Sequence, residues 1–174
     1  MLTLAIDMDE VLADAAKKLK AWYYRDYGKT FEDEEVKGKD LKEAVIPEHF
    51  SLFRKYCNTP GFFRDLEVMP DAQEVLKELN KQYEVYIVSA AVEFPNSLKD
   101  KYDWIMENLS FITWRQICFC GSKSIVQTDI MIDDRVRNFK DFKGRKLLYS
   151  AHHNIFETNY ERVNNWKEIR QLLL

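Results

Sequence analysis

Two aspartates one residue apart, Asp7 and Asp9, follow the apolar run Leu2-Thr3-Leu4-Ala5-Ile6. Carboxylates at i and i+2 can divide a group transfer between them. One attacks as nucleophile and the other moves a proton, provided a cation offsets their repulsion. Three more reactive groups occupy similar positions. Ser89 closes Ile87-Val88-Ser89, Lys123 lies in Cys120-Gly121-Ser122-Lys123-Ser124, and Asp133 and Asp134 end Ile130-Met131-Ile132-Asp133-Asp134. Singly, a capping serine, a solvated lysine and an acidic turn would explain each. Brought together, four carboxylates and one lysine form a density of negative charge that requires a divalent ion, and Mg²⁺ suits such oxygen donors. A phosphate monoester needs a nucleophile, a cationic clamp on its oxygens and an acid for the leaving group. This set contains all three.

Only a particular scaffold gathers these residues. The first apolar run reads as a buried parallel strand. Further short strands are predicted at Val85–Val88, Ile117–Cys120, Ile130–Ile132 and Leu147–Tyr149. Between them helical spacing recurs: Leu12, Ala16, Leu19 and Tyr23, stopped at Gly28; Val75, Leu76 and Leu79; and Leu98, Tyr102, Ile105, Met106 and Leu109. Val163, Trp166, Ile169 and Leu172 supply a closing helix. Strands alternating with helices predict an α/β fold with a doubly wound parallel sheet. In such a sheet every candidate residue lies at the carboxyl edge, where ligands bind. Residues 14–66 are helical and irregular, with a short helix from His49 to Cys57 and a break at Thr59-Pro60-Gly61. They read as an insertion above the end of the first strand, a lid that regulates water.

The 174 residues suit one domain with a small insertion, and 46% hydrophobic residues suffice for a packed core. With 26 basic and 29 acidic residues the chain offers no electrostatic footprint for a nucleic-acid polymer. No apolar stretch approaches the ~20 residues of a membrane span. Met1-Leu2-Thr3 leads straight into a strand, so a cytoplasmic protein without a signal peptide is expected. Three cysteines cannot build a disulfide framework. Cys118-Phe119-Cys120 lacks a partner pair at metal-ligand spacing and reads as alternate faces of a short strand.

The order Asp-x-Asp-x-Val, Ser, Lys, Asp-Asp resembles the four motifs of the haloacid dehalogenase-like phosphohydrolases. Within them, Asp7-Met8-Asp9-Glu10-Val11-Leu12-Ala13-Asp14 is similar to the first motif of the 5′(3′)-deoxyribonucleotidases, with Glu10 where many members have glycine. Pro60-Gly61-Phe62-Phe63-Arg64-Asp65-Leu66, Met69-Pro70, Ala151-His152-His153-Asn154 and Trp166 extend the resemblance over nearly the whole chain. It implies a Rossmann-like core at 1–13 and 67–174, with a helical cap at 14–66. It further implies that Asp7 is the nucleophile forming an aspartyl-phosphate, and that Asp9 is the general acid and base. Ser89, Ala90 and Lys123 would bind phosphate. Asp7, Asp9 (through its carbonyl), Asp134 and Asp133 would hold Mg²⁺.

The implied substrate is a deoxyribonucleoside monophosphate. One departure bears on it: an aromatic that stacks on the base in some members would fall at Ala15. Phe62 and Phe63 are the expected substitutes, with Trp22, Tyr23, Phe50 and Phe53 behind them. The competing readings are a phosphatase of the same fold for a sugar phosphate, and a non-catalytic nucleotide-binding module. Retention of both Asp7 and Asp9 argues against the second. A homodimer is compatible with the sequence.

Overall fold

A computed structural model describes residues 1–174. Six strands, β1 (Leu2–Asp7), β2 (Tyr83–Ser89), β3 (Ile117–Phe119), β4 (Ile130–Asp133), β5 (Arg145–Tyr149) and β6 (Glu161–Val163), form one sheet in the order β3-β2-β1-β4-β5-β6. All neighbours are parallel. Leu4, Ala5 and Ile6 are completely buried, as a central strand covered on both faces requires. The chain runs outward from β1 through β2 to β3, then returns to β4 on the other flank of β1. Strand order therefore reverses between β1 and β4, which opens a crevice at their carboxyl ends. Ile6 is in register with Ile132, so Asp7 and Asp133 emerge side by side into it.

Helices α1 (Ala15–Tyr27), α2 (Asp33–Val36) and α3 (Phe50–Cys57) lie between β1 and the second half of the chain. Asp14 starts α1 by accepting from the backbone N–H of Lys17 at 2.8 Å. Gly28 ends it with φ at 66°, a left-handed conformation open to a residue without Cβ. Helices α4 (Ala72–Leu79), α5 (Ser97–Asn108) and α6 (Trp166–Leu173) pack around the sheet. One cluster of 34 buried residues runs continuously from the sheet (Leu4, Ile6, Ile87, Ile132) to Tyr23, Phe53 and Tyr56 of the helical segment. The other face of the sheet buries Val88, Met131, Phe139 and Leu148.

Two indoles tie down the points where the chain leaves and rejoins the sheet. Trp166 Nε1 donates to Val11 O at 2.7 Å, and Trp104 Nε1 donates to Leu66 O at 2.8 Å. Both rings are fully buried.

Three expectations need correction. Val163 belongs not to the last helix but to β6, a strand of three residues too short and polar to stand out. Helix α5 buries Ser97, Lys101, Trp104 and Ile105, while Tyr102 and Met106 are exposed. Cys118 and Cys120 share one face of the sheet, because residues two apart in a strand point the same way, and both pack against the second cluster. No helix is long and apolar enough to cross a membrane.

Candidate active site

The crevice is a cavity of about 450 Å³ lined by Asp7, Asp9, Ala90, Lys123 and Asp134 among others. Asp7, at the end of β1, accepts from Met8 N at 2.7 Å and pairs with Lys123 Nζ at 2.6 Å. Lys123 follows β3 and also donates to Asp133 Oδ2 at 2.6 Å. Asp133 is saturated beyond that: Asn138 Nδ2 donates to both its oxygens, at 2.9 and 3.0 Å, and Arg135 N donates at 2.8 Å. Asp134 faces His153 Nε2 at 3.2 Å and Arg135 Nε at 3.6 Å. The segment Ala151-His152-His153-Asn154 thereby acquires its purpose. Asn154 Nδ2 and His153 Nε2 donate to the backbone carbonyl of Asp134, at 2.8 and 3.1 Å, fixing the loop that carries the carboxylate.

Two buried carboxylates thus hold one buried ammonium, with the buried Asp134 beside them. Burial, then the charge of Asp133, holds the Asp7 carboxyl well above its ordinary range. Burial would lower the Lys123 amine, yet Asp133 and Asp7 together keep it above its usual value and therefore charged. Burial alone would raise Asp134, but His153 and Arg135 hold it low and ionised. Ligand oxygens of Asp7, Asp133 and Asp134 lie within 4.8 Å of one another. Hard oxygen donors at that spacing, short of compensating charge, fit a divalent cation.

Two positively charged residues of this site were not recognised in the sequence. Lys101, on the buried face of α5, donates to Asp9 Oδ2 and, at 3.0 Å, to Ser89 Oγ. Its ammonium sits 4.2 Å above the ring of Phe63. Asp9 Oδ1 is buried without a hydrogen-bond partner. Arg135 pairs with Asp40 and so bridges the loop after β4 to the helical segment. A lysine within Lys99-Asp100-Lys101 looks like solvated surface, and only Trp104 and Ile105, three and four residues later, mark the buried face.

The other sequence-predicted residues separate into two groups. Ser89 lies at the end of β2 beneath Ala90, which lines the cavity. Phe63 reaches the cavity, whereas Phe62 is buried edge-on against Trp22 and Phe63, with centroids 5.0 and 4.9 Å away. Tyr23 and Phe53 stack on each other at 5.6 Å. Glu10 adopts φ of 64°, and its carboxylate accepts from Ala16 N at 2.6 Å. Burial, then the charges of Asp134 and Asp14, raises its pKa to about 8.

A parallel sheet with paired aspartates, a lysine and a second acidic pair at its carboxyl edge defines a phosphohydrolase of the haloacid dehalogenase-like fold. A haloacid dehalogenase-like family hydrolase from Streptococcus pneumoniae superimposes with a TM-score of 0.64 at 13% identity, covering 100% of this chain and 99% of that one. YfnB from Bacillus subtilis, solved bound to magnesium, gives 0.55 at 13% identity over 99% and 98% of the two chains. Residues 1–174 match the family described as 5′ nucleotidase, deoxy (pyrimidine), cytosolic type C protein, and the chain belongs to that family of phosphoric monoester hydrolases. The 5′(3′)-deoxyribonucleotidase of Bacillus subtilis strain 168 is 41% identical over 180 residues, covering 98% of each chain.

Proposed function

We propose that the chain is a Mg²⁺-dependent 5′(3′)-deoxyribonucleotidase that hydrolyses deoxyribonucleoside monophosphates through an aspartyl-phosphate on Asp7. The observation that carries this reading is the convergence of Asp7, Asp9 and Lys123 on one cavity, with Asp9 Oδ1 unpartnered inside it. The phosphoryl group is held by Lys123 and the backbone around Ala90. An oxygen of Asp7 attacks phosphorus as the ester P–O bond breaks, and Asp9 Oδ1 delivers a proton to the departing sugar oxygen. Water then attacks phosphorus, Asp9 takes its proton, and phosphate leaves with Asp7 restored. Asp7, Asp134 and the Asp9 carbonyl would hold Mg²⁺, which neutralises phosphoryl charge when bound. Asp133, its oxygens already engaged, serves chiefly to aim Lys123.

Residues 14–66 are the cap in this reading, held over the site by Arg135–Asp40 and by Gly38 N, which donates to His152 O at 2.7 Å. Closure excludes water from the first step. The test is kcat/KM for dUMP, dTMP, dGMP, UMP and a sugar phosphate side by side. A sugar phosphate favoured by roughly tenfold or more would overturn the nucleotide assignment. Deoxyribonucleotides should exceed ribonucleotides, since a 2′-hydroxyl buried without a partner is costly.

A further inference from the structure

None of the motifs accounts for Phe94, in the loop Ala91-Val92-Glu93-Phe94-Pro95 after β2. The catalytic cavity is lined by two aromatic rings, Phe63 and Phe94. Phe63 is 3% exposed and the Lys101 ammonium covers it. The Phe94 ring is half-buried and lies beside Phe63, with ring centroids 6.4 Å apart and planes tilted by 32°. It also borders a second hollow of about 230 Å³, together with Leu19, Leu41 and Phe53. Cavity and hollow meet along a wall that includes Leu19 and Phe94. A ligand with its phosphate at Asp7 and Lys123 can extend along this wall.

The ring is braced from elsewhere. Arg54 stacks over it at 5.2 Å and pairs with Glu93 at 2.8 Å. Both Arg54 and the ring line a third cavity, which does not include Leu19 or any of the catalytic carboxylates. Phe94 therefore borders both cavities, with Arg54 over its ring and Phe63 beside it. Ala15 contributes only a methyl group to the catalytic cavity, which leaves Phe63 and Phe94 as its aromatic side chains.

We propose that Phe94 is the platform on which the nucleobase stacks, with Leu19 as apolar cover, and that this contact sets the preference for nucleotides over phosphate esters lacking an aromatic group. The inference rests on the nucleotidase reading above and names the residue that gives it substrate selectivity. A π-face accepts any base, so selectivity among bases is broad. The expected aromatic contact is thus supplied from the loop after β2 rather than from α1.

The test is the ratio of kcat/KM for dUMP to that for deoxyribose 5-phosphate in wild type, Phe94→Leu, Phe94→Met and Phe94→Tyr. Leucine and methionine keep apolar bulk without a π-face, and tyrosine restores the face. The ratio should fall about 5- to 150-fold in Phe94→Leu, mainly through KM, as expected for a lost base–aromatic stack. It should recover in Phe94→Tyr. If Phe94→Leu does not fold, Phe94→Met gives the same comparison. A ratio unchanged in the folded variant, through equal losses or none, overturns the proposal while leaving the nucleotidase reading intact. A wild type with no preference for dUMP over deoxyribose 5-phosphate overturns both.

Discussion

Lys101 and Asp9 form an ion pair across 92 positions of sequence, and the lysine side chain is 2% exposed against 33% for the aspartate. The asymmetry has an energetic consequence. Removing Asp9 strands a buried ammonium, whereas removing Lys101 leaves an aspartate whose side chain is partly exposed.

Asp9→Ala should therefore destabilise the metal-free protein by about 3 kcal/mol or more, and Lys101→Met by only about 1 kcal/mol. Urea unfolding of the two variants measures the difference. Comparable losses would mean that Ser89 and Phe63 satisfy the Lys101 ammonium by themselves.

Asp9→Asn tests proton transfer. Hydrolysis of dUMP, whose alkoxide leaves poorly, should fall about 10²- to 10⁴-fold. An aryl phosphate, whose phenolate needs no proton, should lose far less. Equal losses on the two substrates would exclude Asp9 as the acid.

Metal dependence follows from the donor set. A chelator should abolish activity, Mg²⁺ should restore it, and Ca²⁺ should not. Ca²⁺ accepts more oxygens in looser geometry and would draw both oxygens of Asp7 into coordination, disabling attack. Mg²⁺ should also raise the melting temperature of the wild type but not of Asp134→Asn. Full turnover in Ca²⁺ alone would count against the site described.

Glu10 predicts a pH dependence of stability. Its carboxyl titrates at about 8 in the folded chain against an ordinary value of 4.5, so the folded state holds a proton that unfolding releases across this window. Stability from this group is present below pH 4.5 and is lost as pH rises through about 8. Glu10→Gln carries no such proton. In metal-free buffer its melting temperature relative to wild type should climb between these two pH values, and a constant offset would refute the assignment.

Much of the site was legible because each reactive residue directly follows an apolar strand, and a parallel sheet delivers all such positions to one edge. Asp7, Ser89, Asp133 and Asp134 needed only that rule. Lys101 is hidden because the apolar pattern Leu98, Tyr102, Ile105, Met106 and Leu109 mixes buried positions with the exposed Tyr102 and Met106. Its burial depends on two acceptors, Asp9 and Ser89, that local patterning cannot bring near. Phe62 and Phe63 illustrate the converse. Adjacent in sequence, they diverge in the fold, one into the core and the other to the floor of the cavity under a lysine. Glu10 shows a further limit: the glycine that many relatives carry there is the one signal of its left-handed backbone, which for a residue with a Cβ costs about 1–2 kcal/mol.

The indoles of Trp104 and Trp166 carry a practical consequence. Their N–H groups bond the carbonyls of Leu66 and Val11, the two places where the polypeptide rejoins and leaves the sheet. Any swing of the intervening helices that strains either bond must alter the polarity around a buried ring. The two rings would thus report any such swing optically. Replacing the exposed Trp114 with phenylalanine would clear much of the background, and stopped-flow fluorescence could then follow the motion without a label.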